Sequence, residues 1–202
     1  GGGAVVDVAD DPVTLVRREI ERWRNHFADL DAAAEALADE LRLGAGDLYG
    51  ALAERLRVRH ALSIRVLPID ILPDRLVRLD LHARQLQLSE MLEAPARVFA
   101  LAVQLAQSEA RGEIEALARG AAFGDRIAER LFRRYLAQYF AAAIVMPYAR
   151  FLRACEATGY DLAILQRRFG VSFEQLAHRL TTLNRVGARG LPFFLSRVDR
   201  AG

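Results

Sequence analysis

Side chains that could perform covalent or metal chemistry are few in this sequence and do not cluster along it. Each of the four histidines lacks a second histidine three or four residues away; they are His26, His60, His82 and His178. Cys155 is the single cysteine, so no disulfide can form within the chain, and a reducing cytoplasm is the expected compartment. The sequence also has no G-x-S-x-G, P-loop or dinucleotide-binding motif. Local motifs therefore give no support for an enzyme.

Two apolar segments, taken together, resemble a known family. Residues 99–107 read FALAVQLAQ, and residues 136–147 read LAQYFAAAIVMP. They resemble the ImmA/IrrE-type metallopeptidase domain, in which the first helix reads F-x-L-A-H-E-x-x-H and the second ends in A-N-x-F-A-A-x-L-L-M-P. The similarity spans residues 60–185, and the F-A-A-x-x-x-M-P ending is its most specific part. The resemblance implies a zincin-like fold with the two segments as its central helices.

The same comparison indicates that the metal site is lost. Two histidines at i and i+4 would give zinc two nitrogen ligands, and the glutamate beside the first would polarise the bound water. Here those positions hold Val103, Gln104 and Gln107, which are poor zinc ligands or none. The acidic ligand of the second helix also has no counterpart, because no Asp or Glu occurs between Glu129 and Glu156. We therefore expect no metal, no cofactor and no enzymatic activity; residual peptidase activity is the weakest alternative.

Within that superfamily the sequence is similar to the short-chain fatty acyl transcriptional regulators. The similar segments are residues 133–140 (RRYLAQYF), 186–194 (VGARGLPFF) and 197–202 (RVDRAG). The resemblance implies an effector-sensing, dimerising core that serves control of acetyl-CoA or propionyl-CoA metabolism. It also implies that DNA is read mainly by a separate N-terminal helix-turn-helix domain, which this sequence lacks.

The predicted effector site combines amide, phenol and guanidinium groups. Gln104 and Gln107 can donate to and accept from a thioester carbonyl. All 28 basic residues are arginine, whose planar fork suits the phosphates of coenzyme A. The predicted ligand-binding residues are Val103, Gln104, Gln107, Arg133, Arg134, Tyr135, Gln138, Tyr139, Tyr148, Arg150 and Arg153. We expect a short-chain acyl-CoA or a related metabolite to bind in or near the former catalytic cleft, which would otherwise be closed by apolar packing.

A second hypothesis assigns DNA contact to residues 161–183. This segment predicts a helix, a turn at Gly170 and a second helix that begins with a Ser172/Gln175 capping box. That order is typical of a helix-turn-helix. The side chains predicted to face outward with Glu174 are Gln175, His178, Arg179 and Thr182. The other interpretation is that this helix pair only packs against the rest of the domain and supports its structure.

A third hypothesis is a ligand-free scaffold for protein interaction or dimerisation. Asp11 and Pro12 predict a helix start, after which apolar residues recur at heptad-like spacing. This seam consists of Val13, Val16, Ile20, Trp23, Phe27 and Leu30. It either packs within the chain or forms a homodimer, and homodimerisation through the seam or through a face of the core is expected.

The order of the predicted elements indicates a mainly helical α+β fold. Alternating apolar residues predict three strands between residues 62 and 89, which we expect to form a small antiparallel sheet packed on the two central helices. Leu191–Leu195 are expected to begin a further strand. The predicted divisions are an N-terminal helical segment (1–59), the degenerate metallopeptidase-like domain (60–158), and the helix-turn-helix-like pair with the start of a C-terminal domain (159–202).

Composition adds two broad limits. The formal net charge is only +2, so the chain as a whole is not an electrostatic nucleic-acid binder. No run of about eighteen apolar residues occurs, so the sequence predicts no membrane span. A cytoplasmic protein without a membrane partner is therefore expected.

Overall fold

The computed structural model describes residues 10–42 and 47–193. Within these ranges the chain forms nine helices, which are α1 (Pro12–Arg22), α2 (Ala28–Arg42), α3 (Leu48–His60), α4 (Ala94–Glu109), α5 (Arg111–Ala121), α6 (Arg126–Val145), α7 (Tyr148–Ala157), α8 (Leu162–Phe169) and α9 (Phe173–Leu180). The strands are β1 (Ser63–Leu67), β2 (Val77–Asp80), β3 (Gln85–Ser89), β4 (Asn184–Arg185) and β5 (Ala188–Arg189). The prediction of a mainly helical α+β fold is confirmed.

Helix α6 is the centre of the molecule. It packs against α4, α2, α1, α5 and α9. Residues 136–137 and 139–146, on this helix and at its end, are all buried, and only Gln138 between them is exposed. A helix that is apolar around most of its circumference must be enclosed by other elements. The sequence therefore predicted the two central helices correctly, since α4 and α6 pack directly on each other.

Capping side chains explain where several helices begin. The Asp125 carboxylate accepts a hydrogen bond from the Ala128 amide at 2.9 Å and starts α6, and Asp11 does the same for α1 through Thr14 at 2.8 Å. The Ser172/Gln175 capping box is present at the start of α9. Helix α6 ends at Val145, two residues before Pro147, which cannot continue a helix. These local signals position the helix ends as the sequence predicted.

The three-stranded sheet is mixed, so the prediction of an antiparallel sheet is wrong. Its strand order is β1-β3-β2, with β1 parallel and β2 antiparallel to β3. The loop of residues 68–76 is long enough to carry the chain past the position that β3 later fills, whereas the short turn of residues 81–84 makes β2 and β3 a hairpin. Alternation of apolar residues predicts strands but carries no information about their order. Leu86 and Leu88 of β3 belong to the same apolar core as the buried residues of α4 and α6, and β1 contacts α3.

The N-terminal seam is not one helix. Helix α1 ends at Arg22, and Arg24 and Asn25 adopt positive φ angles of 53° and 50° before α2 begins. Val16 and Phe27 are buried in the core of the same chain, while Val13 and Trp23 are exposed. Val16 and Phe27 of the seam therefore pack within the chain, which was one of the two predicted alternatives, and the turn splits the heptad spacing between two helices. Homodimerisation stays a prediction.

The C-terminal part of the described chain is a small hairpin and an irregular segment. Strands β4 and β5 pair in antiparallel fashion, and residues 191–193 are not in a strand. The rest of the strand predicted at Leu191–Leu195 lies outside the described residues. One continuous apolar core runs from Val16 to Leu183, and the three predicted divisions stay a prediction. None of the described helices is long and apolar enough to cross a membrane.

Candidate effector-binding cleft

The three residues at the former zinc positions do not form a polar site. Gln104 is buried, Val103 is half-buried, and Gln107 is exposed on α4. Their helix faces α6 through close apolar packing that includes Leu101 and Leu105. Over residues 10–42 and 47–193, no group of three or more His, Cys, Asp or Glu side chains could hold a metal ion. Neutral amides and a valine thus replace the donors that zinc would need.

Two of the predicted ligand-binding tyrosines are part of the interior instead. The Tyr139 hydroxyl donates to the Asp31 carboxylate and accepts from the Phe27 amide at 3.1 Å. The Tyr148 hydroxyl donates to the Ala188 carbonyl at 2.7 Å and accepts from the Arg185 amide at 2.9 Å. Burial raises the pKa of both phenols, so they stay protonated. Both side chains are buried and their hydroxyl groups are hydrogen-bonded within the chain, and their contact with a ligand stays a prediction.

The predicted arginine clamp is also dispersed. Arg133 pairs with Glu115 of α5 at 2.9 Å, whereas the Arg150 guanidinium lies 5.9 Å from the centre of the Phe169 ring of α8. The predicted residues that are exposed are Arg134 and Gln138, which lie one turn apart on α6, and Arg153 on α7.

The structure contradicts the outward orientation of two predicted DNA-contacting residues. Arg179 is fully buried and forms an ion pair with Asp31, with Nη2 and Oδ1 2.7 Å apart. Its Nη1 donates to the Thr182 hydroxyl at 2.9 Å, and its Nε donates to the Met146 carbonyl at 3.1 Å. Thr182 is buried with it, and Gln175 is engaged in the capping box. Both faces of a short amphipathic helix can carry polar residues, and only the tertiary packing identifies the face that points inward.

The open cleft lies elsewhere, between α1, α9 and the segment after α9. We call it the arginine cleft, and its volume is about 1480 Å³. It is lined by Arg17, Ile20, Glu21, Arg24, Asn25, Tyr135, Phe173, Glu174, Ala177, His178, Leu180, Thr181, Leu183, Asn184, Arg189, Gly190, Leu191, Pro192 and Phe193. Tyr135 is the one residue it shares with the predicted ligand site, and Glu174 and His178 are the two it shares with the predicted DNA face.

A hydrogen-bonded polar cluster forms the floor of the arginine cleft. The Tyr135 hydroxyl donates to the Asn25 amide oxygen, and the Asn25 nitrogen donates to the Thr181 hydroxyl at 2.9 Å. His178 Nε2 lies 3.0 Å from the Tyr135 oxygen. Since the phenol proton goes to Asn25, His178 carries its proton on Nε2 and donates to Tyr135. Burial, reinforced by the adjacent Arg179, lowers the pKa of His178 to about 4, so the ring is neutral at pH 7.

Charged side chains surround this floor. Arg17, Arg24 and Arg189 supply three guanidinium groups, and Glu21 and Glu174 supply two carboxylates. None of the ion pairs formed by the described residues includes any of the three arginines. The arginine cleft thus combines three guanidinium groups that have no ion-pair partner among the described residues with apolar side chains that include Phe173 and Phe193. This arrangement suits an anionic ligand with an apolar part.

The chain forms a mainly helical α+β fold with a small mixed sheet, and comparison with known proteins gives the family. Residues 57–181 match the IrrE N-terminal-like domain, and the chain belongs to that family. The family resemblance of the helices at 99–107 and 136–147 is thereby confirmed.

Similar proteins are named as regulators. The chain is 37% identical to the HTH-type transcriptional regulator RamB of Mycobacterium tuberculosis and 38% identical to PrpR of the same species, over 94% and 95% of this chain but 41% and 39% of those proteins. It is 35% identical to the propionyl-CoA carboxylase regulator of Cereibacter sphaeroides, over 97% of this chain and 41% of that protein. A solved structure, described as a Mycobacterium tuberculosis transcriptional regulator, superposes with a TM-score of 0.84 at 36% identity, over 90% of this chain and 55% of that one. The chain therefore spans about two fifths of the length of these curated relatives, and its similarity to this regulator group is confirmed.

Most residues of the arginine cleft were not predicted from the sequence. They come from α1, the turn after it, α6, α9 and the β4–β5 hairpin, which are far apart along the chain. One local signal was present: Arg17, Ile20 and Glu21 lie three or four residues apart and share one face of α1, and Arg24 follows in the turn after the helix.

Proposed function

We propose that this chain is the effector-sensing core of a transcriptional regulator and that its effector is a short-chain acyl-CoA or a related anionic metabolite. The observation that carries the proposal is the arginine cleft, which is open and has three guanidinium groups without ion-pair partners among the described residues. The regulator names of relatives that align with nearly the whole chain support the regulatory role. We place the effector in the arginine cleft rather than between α4 and α6, where the side chains are closely packed.

The chemistry of the arginine cleft matches the parts of such a ligand. A guanidinium group can bind phosphate oxygens through two parallel hydrogen bonds. We therefore expect Arg17, Arg24 and Arg189 to bind the phosphates of the ligand. Phe173, Leu183 and Phe193 offer apolar contact for an acyl chain or a base. The Tyr135–His178 pair lies at the floor as the group that would approach a thioester carbonyl. The effector would thereby connect α1, α9 and the C-terminal hairpin.

We further propose that the chain performs no catalysis. The support is the donor set at the former zinc positions, since Val103, Gln104 and Gln107 offer no imidazole, thiolate or carboxylate. DNA would then be contacted by another part of a longer protein in the bacterial cytoplasm, as in proteins named HTH-type regulators. Metal analysis of the purified chain tests the first point: stoichiometric zinc bound to the protein would contradict it.

Calorimetric titration tests the effector proposal. We expect propionyl-CoA and acetyl-CoA to bind the 202-residue chain and Arg24→Ala to weaken binding about tenfold or more, because a charge-assisted hydrogen bond contributes roughly 1.5–3 kcal/mol. Arg153→Ala, an exposed arginine on α7, is the matched control and is expected to bind as the parent does. No heat and no thermal shift at millimolar ligand would contradict the proposal and would favour the ligand-free scaffold. If Arg153→Ala weakened ligand binding and Arg24→Ala did not, the effector would bind at the site first predicted from the sequence rather than in the arginine cleft.

A further inference from the structure

Strand β2 exposes apolar side chains at an open edge of the sheet. Among the residues that the structure describes, β2 pairs only with β3. Val77 and Leu79 stand opposite Leu88 and Leu86, so all four share the face of the sheet that meets the core. Leu86 and Leu88 are buried, whereas Val77 and Leu79 are 39% and 38% exposed. The apolar face of the sheet thus extends beyond the part that is buried in the core.

More apolar residues extend this surface. We call it the β2 patch, and it consists of Ile69, Ile71, Leu76, Val77, Leu79, Leu81 and Met91, all of them exposed. Three of these, Ile69, Leu76 and Met91, also line a small cavity of about 170 Å³ beside the beginning of β2. A solvent-exposed group of this many large apolar side chains is typical of an interaction surface.

The backbone of β2 offers hydrogen bonds along the same edge. The Ser89 amide donates to the Leu76 carbonyl at 2.8 Å. Because hydrogen-bonded positions alternate in an antiparallel pair, Arg78 and Asp80 direct their backbone groups toward β3, and Val77 and Leu79 direct theirs outward. An open strand edge with outward N–H and C=O groups is a template for another strand.

We propose that β2 pairs with β2 of a second copy of this chain in antiparallel fashion about a two-fold axis at Leu79. This register places Leu79 opposite Leu79 and Val77 opposite Leu81, so outward backbone groups meet outward backbone groups. On the opposite face of the sheet it places Arg78 of each copy opposite Asp80 of the other. The two sheets then join into one sheet of six strands.

Charge selects this register over its neighbours. Outward backbone groups meet outward backbone groups only when the two-fold axis passes between the two copies of one residue. Pairing about Arg78 would place two arginines opposite each other, and pairing about Asp80 would place two aspartates opposite each other. Like charges directly opposite each other on neighbouring strands are destabilising, and opposite charges are stabilising. Pairing about Leu79 brings the Val77, Leu79 and Leu81 side chains of both copies together and makes two ion pairs. Self-complementarity of this kind is what a two-fold interface requires.

Sedimentation velocity over a concentration series tests the interface with the 202-residue chain. We expect a dimer for the parent and a monomer for Leu79→Glu, which places two carboxylates opposite each other at the axis. Val58→Glu is the matched control, because Val58 is an equally apolar, 62% exposed residue on α3, and it is expected to remain a dimer. A parent chain that is monomeric at every concentration would overturn the proposal, as would a dimer that Leu79→Glu leaves intact.

A charge exchange tests the register and separates a second copy from any other partner. Arg78→Asp alone opposes aspartates, and Asp80→Arg alone opposes arginines, so each is expected to weaken the dimer about tenfold. The double variant, Arg78→Asp with Asp80→Arg, recreates both ion pairs and is expected to restore the parent dissociation constant. Failure of the double variant to recover, with a thermal transition that shows it is folded, would overturn the register. If the double variant does not fold, the two single variants are mixed instead. Their heterodimer opposes two carboxylates on one copy to two guanidinium groups on the other, so both ion pairs form and the mixture is expected to dimerise more tightly than either variant alone. No gain on mixing would overturn the register.

Discussion

The buried pair of Arg179 and Asp31 connects parts of the chain that are almost 150 residues apart in sequence. Asp31 accepts from Arg179 and from the Tyr139 hydroxyl, and the Arg179 guanidinium lies between the rings of Tyr139 and Tyr148. A buried guanidinium N–H group without an acceptor destabilises the fold. The additional hydrogen bonds from Arg179 to Met146 and Thr182 avoid this cost. The pair therefore holds α9 to α2 and α6 beneath the arginine cleft.

Loss of one partner of this pair is expected to destabilise the fold severely. Arg179→Met leaves the Asp31 carboxylate buried without its cation and should lower the free energy of unfolding by about 3–5 kcal/mol. Urea denaturation measures it. Arg22→Met is the control, because Arg22 is exposed and solvent screens its pair with Glu19, so its loss should destabilise the fold far less. Equal losses in the two variants would contradict a structural role for the buried pair.

The neutral state of His178 predicts a pH dependence of stability. Burial lowers the pKa of His178 to about 4, whereas an unfolded histidine titrates near 6.5. Between these values the unfolded chain binds the extra proton, so stability falls as the pH is lowered from about 6.5 to about 4. His178→Gln should make that decline shallower by roughly 1–3 kcal/mol in denaturant titrations at several pH values. His82→Gln, at an exposed turn, controls for the loss of an imidazole as such, and an unchanged slope in His178→Gln would count against this account.

Among the secondary-structure elements, α6 determines most of the packing. Its N-terminal half carries Tyr135 to the floor of the arginine cleft, and its C-terminal half fills the core against α4. The helix begins where the Asp125 side chain satisfies a free backbone amide and ends before Pro147. Because five other helices pack on α6, a change at its cap is transmitted to the stability of the whole domain.

Removal of the cap tests this dependence. Asp125→Ala deletes the acceptor for the Ala128 amide and should cost about 1 kcal/mol in the free energy of unfolding. Asp125→Asn keeps a capping oxygen at the same position and is expected to retain most of the stability. Thermal or urea unfolding compares the two, and an alanine variant as stable as the asparagine variant would show that the cap does not matter.

For the molecule as a whole, the C-terminal hairpin forms one wall of the arginine cleft. Tyr148 bonds both of its strands, through the Arg185 amide and the Ala188 carbonyl, and Arg185 forms an ion pair with Glu35 of α2. Arg189 of the same hairpin lines the cleft. Closure of the cleft on a ligand would thus be coupled to the core through Tyr148.

Tyr148→Phe is expected to loosen this wall. The loss of its two hydrogen bonds should increase the amide hydrogen exchange of Arg185 by about fivefold or more, since a typical hydrogen bond contributes roughly 1 kcal/mol. Exchange in α4 should change much less. Tyr49→Phe on α3 is the control, and identical exchange at Arg185 in the two variants would show that Tyr148 does not hold the hairpin.

The elements of this fold were largely readable from local sequence, because caps, prolines and hydrophobic periods act over a few residues. The sequence predicted α4, α6, the helix pair of 161–183 and three strands, and the motif around Met146–Pro147 gave the family. It could not give the order of strands in the sheet, since the alternation in β2 is the same whichever strand lies beside it.

The tertiary structure decided which side chains come together in each site. Arg179 and Arg189 belong to the same stretch of arginine-rich sequence, yet one lies buried against Asp31 and the other lines an open cleft. Sequence alone identified Val103, Gln104 and Gln107 at the positions that match the zinc-binding motif of the family it resembles. Only the packing of α1, α6, α9 and the hairpin decided where charged side chains stay accessible, because the burial of a side chain depends on neighbours that are distant along the chain.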